Sequence, residues 1–304
     1  MNRARVLVLG ATGQIGIFTI PLLRARGFEV LALSRGGKPT WYPAFEDVRW
    51  IAGNVAEPGS LPEPDMLVSA GPIHLATRMI RQCGRLQRAV VFSTSSVISK
   101  LASADPGEQR QMQQILAQED ELATACASHG IALSLFRPTL VYGCGIDENV
   151  SWLANWIRRF GVVPVAGAAA GLRQPVHAED LAAAAVSTLA SPQPQALKAS
   201  LCGGNTISFR EMVERIFHGV GKPVRIMSLP PWSLVAAARL CRAIPGFRGP
   251  RPEMVRRQAV DLVFDDAVPR EVLGYRPRAF APGPADFSLP TPQRLKRLAG
   301  LADS

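Results

Sequence analysis

Gly10, Gly13 and Gly16 stand three residues apart just after an apolar run, Val6 to Leu9, and an apolar segment follows them. Strand, glycine loop and helix in that order suit a dinucleotide pyrophosphate. The first glycine makes the tight turn, and the second lets the backbone approach the phosphates. The third lets the helix pack close to the strand, with its N-terminus aimed at the negative charge. Thr12, Gln14 and Ile15 lie on the same loop and join the candidate cofactor site. Further along, Ser93-Thr94-Ser95-Ser96 closes another apolar run and offers hydroxyls to a reacting oxygen. His74 and Tyr142 are acid/base candidates by their positions after strand segments, with His177 and Cys144 behind them.

The residues after the second strand bear on which dinucleotide is held. An NAD-selective site places an acid there for the ribose 2′-hydroxyl. This chain has Ser34 and Arg35 instead, with Lys38 nearby. A hydroxyl and a guanidinium suit a 2′-phosphate, so NADP is expected over NAD. After the third strand Asn54 offers an amide to the adenine edge. After the fourth, Ala70, Gly71 and Pro72 are small enough to let a cofactor lie across the strand ends.

These groups need a scaffold, and the chain supplies its signals in alternation. Strands are expected at 5–9, 30–34, 48–52, 66–70, 89–93 and 132–137, and helices at 16–26, 74–83 and 111–128. Buried runs alternating with helices predict an α/β fold, a Rossmann-type doubly wound parallel sheet. Beyond about residue 143 proline and glycine become frequent, which predicts a smaller α/β lobe. The expected division is a cofactor domain over 1–165, with 176–202 returning to its sheet. A substrate lobe over 203–304 follows, joined by 144–175. Within that lobe 210–218 reads as a helix capped by Ser208.

Together these pieces resemble the extended short-chain dehydrogenase/reductase family, the NAD(P)-dependent epimerase/dehydratase group. Gly10-Ala-Thr-Gly13-Gln-Ile-Gly16 is similar to its phosphate loop. Phe92 to Val97 resembles its fifth strand and catalytic serine, and Leu273-Gly274-Tyr275-Arg276-Pro277 its near-terminal signature. Arg137-Pro138-Thr-Leu-Val141-Tyr142-Gly143 is similar to the segment whose backbone meets the nicotinamide. The resemblance therefore implies cofactor contacts at Ser93, Pro138 and Val141, and Ser95 or Ser96 beside the reacting oxygen. It also implies a nucleoside-diphosphate sugar as the small-molecule substrate, with Arg173 and either Arg256 or Arg257 on the diphosphate. Gln174 replaces the usual acid after Arg173. A homodimer through two sheet-flanking helices is compatible with the family.

The chain departs further from the family in its acid/base pair. That chemistry uses a tyrosine with a lysine four residues later, on the helix after Ser96. The tyrosines here are Tyr42, Tyr142 and Tyr275, and no lysine lies between Lys100 and Lys198. In the two registers that align Glu119 or Glu121 with the family's helix glutamate, the pair becomes Gln111 and Ile115, or Gln113 and Ala117. General acid–base help is typically worth about 10²–10⁴ in rate. Three readings stay open: an epimerase-, dehydratase- or reductase-like enzyme with a non-standard acid/base, a catalytically silent NADP(H)-binding sensor or assembly protein, or an enzyme whose substrate needs no such proton transfer.

Bulk properties narrow the partners. The net charge is +10 over 304 residues, but only five of the 34 basic residues are lysine. With no basic run interleaved with aromatics, nucleic acid is not expected as a partner. The longest apolar stretches are too short to span a bilayer. Five scattered cysteines without a CxxC pair imply no metal site and free thiols. No leader precedes the first strand, so a cytoplasmic location is expected.

Overall fold

Six strands come from the first half of the chain: β1 (Arg5–Leu9), β2 (Glu29–Ser34), β3 (Val48–Ala52), β4 (Met66–Ser69), β5 (Arg88–Phe92) and β6 (Ala132–Pro138). A seventh, Lys198–Leu201, pairs with the far side of β6. In space the order is Lys198–Leu201, β6, β5, β4, β1, β2, β3, and every neighbour is parallel. The computed structural model describes residues 3–53, 63–101, 103, 105–193, 196–241 and 252–301. The expected doubly wound α/β sheet is present.

The strands are apolar because both faces are covered. Val6 to Leu9 and Val30 to Ala32 are at most 2% exposed. One face packs under α1 (Gln14–Ala25) and α6 (Ala178–Ala190), the other under α2 (Ile73–Gln82) and α4 (Pro106–Ser128). The chain order reverses direction between β1 and β4, so a crevice opens beyond their carboxyl ends. Doubly wound sheets bind ligands at that point.

α4 starts five residues earlier than its apolar pattern predicts. Asp105 caps it by accepting from Gly107 N at 2.7 Å, and Pro106 takes the first helical position, where its missing N–H is no loss. On the face toward the sheet α4 carries Glu119, which is fully buried. Ser93 Oγ donates to it at 2.6 Å, Arg137 Nε at 3.0 Å, and Lys198 Nζ lies 3.1 Å away. One carboxylate thus ties α4 to the end of β5, to β6 and to the seventh strand.

The remaining lobe has its own core. α5 (Val150–Phe160) and α7 (Phe209–Gly219) pack with Tyr142, Phe280 and Phe287. Short strands complete it: Ile226–Leu229 pairs with Val163–Ala166, and Ile207–Ser208 with Leu172–Arg173. Ser208 accepts from Glu211 N at 3.0 Å, the expected cap. The joining segment contributes Leu153, Ile157 and Val165 to this core. Among the described residues no helix is long and apolar enough to cross a membrane.

Burial alone would raise the Glu119 pKa, but the bonds from Arg137, Ser93 and Lys198 outweigh it and hold the carboxyl below the usual glutamate value. Its stabilisation is therefore complete above the unfolded pKa and is lost as pH falls through the folded one. Glu119→Gln leaves the half-buried Arg137 without its charge partner, so unfolding free energy in urea should drop by about 3 kcal/mol at pH 7. The gap from the parent should narrow at acid pH. An unchanged midpoint at pH 7 would refute the assignment.

Candidate functional site

The glycine loop sits at the β1–β4 crevice. Gly10 has φ of +72° and lies against the chain after β4, so a Cβ there would stand 2.9 Å from the Ala70 backbone. Gly13 N donates to Gly10 O at 2.8 Å, closing the turn. Gly16 has no room for a side chain, because a Cβ would overlap Gly10 O. These approaches bring α1 down onto the loop. The α1 N-terminus has no side-chain cap and no acid in its first turn, leaving its N–H groups to an incoming anion. Ile15 is buried beneath the loop, while Thr12 is exposed on it. Gln14 Oε1 is a buried oxygen without a partner among the described residues, and Ser69 Oγ is another. A cradle that only glycine can line, an open helix end and unspent polar atoms fit a dinucleotide pyrophosphate.

Beyond β2, Ser34 Oγ donates to Gly37 O at 2.8 Å and Lys38 Nζ to Tyr42 O at 2.9 Å, so both are spent on the local turn. Arg35 is exposed and makes no ion pair among the described residues. Asn54 lies outside the described residues. Ala70 continues the β1–β4 ladder by donating to Leu9 O, Gly71 follows it, and Pro72 precedes α2.

A cleft runs from Gln14 toward the lobe. Thr94, Ser95, Ser96, Thr139 and Val141 line it on the sheet side, and Phe209, Met254 and Leu262 on the lobe side. Ser95 is placed by its backbone, whose N donates to Pro138 O at 3.1 Å. Ser93 N likewise donates to Phe136 O at 2.8 Å. The Ser93 hydroxyl spends its proton on Glu119 and keeps its acceptor lone pairs, and the Pro138 carbonyl accepts from Ser95 and keeps a second lone pair.

Lys100 also lines the cleft, and position-by-position reading missed it. The short helix α3 (Ser96–Ser99) turns the chain back so that Lys100 follows the serines into the same space. Its ammonium lies 3.5 Å from Glu108, which also bonds Arg257 and, at 2.8 Å, Ser103. Burial would raise the Glu108 pKa, but Ser103, Lys100 and Arg257 together lower it. Among the described residues α4 contributes nothing to the cleft lining.

The other expected acid/base residues lie elsewhere. His74 lines a separate groove with Arg81 and Glu121, between α2 and α4. Tyr142 is 1% exposed, with its ring 5.1 Å from His177 and 4.8 Å from Phe280, and burial raises its pKa. Neither meets Ser95 in the cleft. The Tyr42 hydroxyl donates to Ile17 O and that of Tyr275 to Cys202 O. His177 caps α6, since its Nδ1 accepts from Glu179 N at 3.0 Å, and its Nε2 faces Asp286 at 3.2 Å. Cys144 is fully buried and its thiol is pushed up to about 12 by that burial, which leaves it unreactive.

The arginines expected on a diphosphate are engaged by the protein. Arg173 is buried and its guanidinium donates to Leu172 O and Val260 O at 2.7 Å and to Arg257 O. Arg257 pairs with Glu108, and the exposed Arg256 pairs with Glu253. Gln174 holds Phe264 N at 2.8 Å.

No family model matches the chain. A 2′-dehydrokanamycin reductase from Streptomyces kanamyceticus is 27% identical over 248 residues, covering 74% of this chain and 69% of its own length. A UDP-glucose 4-epimerase from Vibrio cholerae is 23% identical, and the match spans under half of that protein, 46%. Among solved structures, an epimerase from Methanothermobacter thermautotrophicus superposes with TM-score 0.69 at 16% identity, over 98% of this chain and 92% of its own. A UDP-glucuronic acid 4-epimerase from Bacillus cereus, in complex with NAD, superposes with TM-score 0.69 at 15% identity, over 97% and 99%. The chain has the fold of these epimerases. The sequence relatives support its resemblance to the epimerase/dehydratase group.

Gly13 adopts an ordinary φ of −81°. A Cβ there would meet Gly10 O at 3.1 Å and intrude on the space over the loop. Gly13→Ala should leave the thermal midpoint within a few degrees of the parent and weaken dinucleotide binding by at least about tenfold, read by fluorescence titration. Full affinity in a folded variant would remove the loop from the site.

Proposed function

We propose that the protein is an NAD(P)-dependent oxidoreductase or epimerase of the extended short-chain dehydrogenase/reductase type, acting at a carbonyl or secondary hydroxyl held in the cleft. The single observation that carries this reading is the continuity between the glycine cradle and the cleft. Gln14 belongs to both, and Ser95, Ser96 and Lys100 stand along the same space. The reductase relative and the NAD-bound epimerase neighbour support the same chemistry.

The bound nicotinamide would supply or accept hydride at the substrate carbon. The chain's own task is the oxygen. Ser95 would donate a hydrogen bond to the carbonyl oxygen, and the Lys100 ammonium would deliver the proton that turns the developing alkoxide into an alcohol; oxidation runs the same proton back to the lysine. Glu108 holds Lys100 from the far side and Arg257 shares that carboxylate, so the lysine is positioned by a charge cluster rather than by a phenol. Val141 stands on the cleft wall against which the ring would lie.

NADP is proposed over NAD because Arg35 is exposed and unspent, and no acid follows β2 to receive a 2′-hydroxyl. The solved epimerase neighbours carry NAD, which makes NAD the second reading. A guanidinium on a phosphate contributes roughly 1.5–3 kcal/mol. Arg35→Ser should therefore weaken NADPH binding by about 10- to 100-fold and leave NADH binding unchanged. Equal loss for both, or none, would sink the NADP assignment.

A screen of carbonyl substrates with NADPH and NADH tests turnover. On any substrate found, Lys100→Met and Ser95→Ala should each lower kcat by about 10²–10⁴ while leaving cofactor affinity intact. Tight cofactor binding with no turnover across the screen would favour a silent binding protein.

A further inference from the structure

Beside the polar cleft lies a second cavity, walled by Trp152, Leu153, Trp156, Met212, Leu234 and Val255. The two spaces share Leu140, Asn149, Phe209 and Met254, so the second opens from the first. Its polar side chains are few and largely spent. Gln258 Oε1 accepts from Ala166 N at 2.7 Å, and Trp156 Nε1 donates to Val162 O at 2.9 Å.

We propose that this cavity receives the non-reacting part of the substrate, and that the substrate is a ketone or secondary alcohol on an apolar ring skeleton rather than a nucleotide sugar. The proposal rests on the cleft being the reaction site. It deepens that reading by naming what the cleft accepts.

Two independent observations converge on this class. The first is the wall. Placing a nucleobase edge or a phosphate against tryptophan, leucine and methionine strips its hydration and returns no hydrogen bonds, at a cost of several kcal/mol. An alicyclic or aromatic ring placed there gains about 25 cal/mol for each Å² it removes from water. The second is the state of the arginines. Arg173 would have to release three carbonyls to grip a diphosphate, and its guanidinium lies 5.6 Å from the Phe209 ring centroid, part of the seam between the two spaces. Arg257 would have to release Glu108. Both arginines have donors engaged by the protein, and the space beside them is apolar.

Met254 stands at the seam and is partly exposed, so it can be enlarged with little demand on the fold. The test titrates the full chain, with and without NADPH, with cyclohexanone, 2-decalone and UDP-glucose, reading tryptophan fluorescence and calorimetry. The bicyclic ketone should bind at least about tenfold tighter than the monocyclic one, since each buried methylene is worth about fourfold. UDP-glucose at millimolar concentration should not displace it. Met254→Trp should erase the preference for 2-decalone and keep NADPH affinity, while Met254→Leu should preserve both. Tighter binding of UDP-glucose than of 2-decalone, or equal affinity for the two ketones, would overturn the proposal. The ring-size comparison on the unmodified protein decides this even if Met254→Trp does not fold. Decalone binding without any dinucleotide binding would instead defeat the oxidoreductase reading and leave the cavity's preference standing.

Discussion

A carboxylate with no exposed surface organises the cleft side of this molecule. Glu119 would be expelled or protonated in an apolar interior, but it meets a guanidinium, an ammonium and a hydroxyl drawn from three neighbouring strands. Apolar packing of α4 on the sheet would tolerate sliding, because it is non-directional. The hydrogen bonds to Glu119 are directional and set the register of α4 against β5 and β6. Those strand ends then exchange backbone bonds through Ser93 and Ser95, which fixes one wall of the cleft. The position of Ser95 is thus a consequence of charge burial one layer below it.

The sequence was most legible where one force dominates. Strands buried on both faces read as unbroken apolar runs, and the six expected from such runs end within one residue of where they are found. The glycine loop was legible for a steric reason, since no other residue fits at Gly10 or Gly16. Legibility failed where context decides. Lys198–Leu201 lies at the sheet edge, where its outer side needs no apolar cover, so its polar residues gave no strand signal. Pro106-Gly107 resembles a break and is instead the start of a capped helix. Lys100 lies before the helix on which the missing lysine was sought. It reaches the cleft only because α3 reverses the chain after Ser96.

Charge was the least legible property of all. In a chain with so many arginines, each looks equally able to hold an anion. The folded chain divides them. Arg88 serves the carbonyls of Leu189, Ser191 and Pro192, and Arg278 and Arg294 converge on Glu179 near the α6 N-terminus. Arg173 is saturated in the same way. Guanidinium is suited to this use because its five donors lie in a rigid plane and its hydration is weak. Much of the basic excess therefore works as internal hydrogen bonding, and it says little about acidic partners.

That division has a chemical consequence along the crevice. Arg35 lies beyond β2 and makes no ion pair among the described residues, while near the serines Arg257 is paired with a carboxylate and Arg173 has its donors taken by carbonyls. In the proposed reaction, anion recognition at Arg35 is thereby separated from the oxygen on which charge would develop. A phosphate bound beside Ser95 and Lys100 would compete with that oxygen for Lys100, the only ammonium lining the cleft among the described residues. With the donors of its arginines engaged and an apolar cavity adjoining, the proposed reaction end would offer few competing charges. In that reading a single lysine proton acts on a single oxygen with little screening from water.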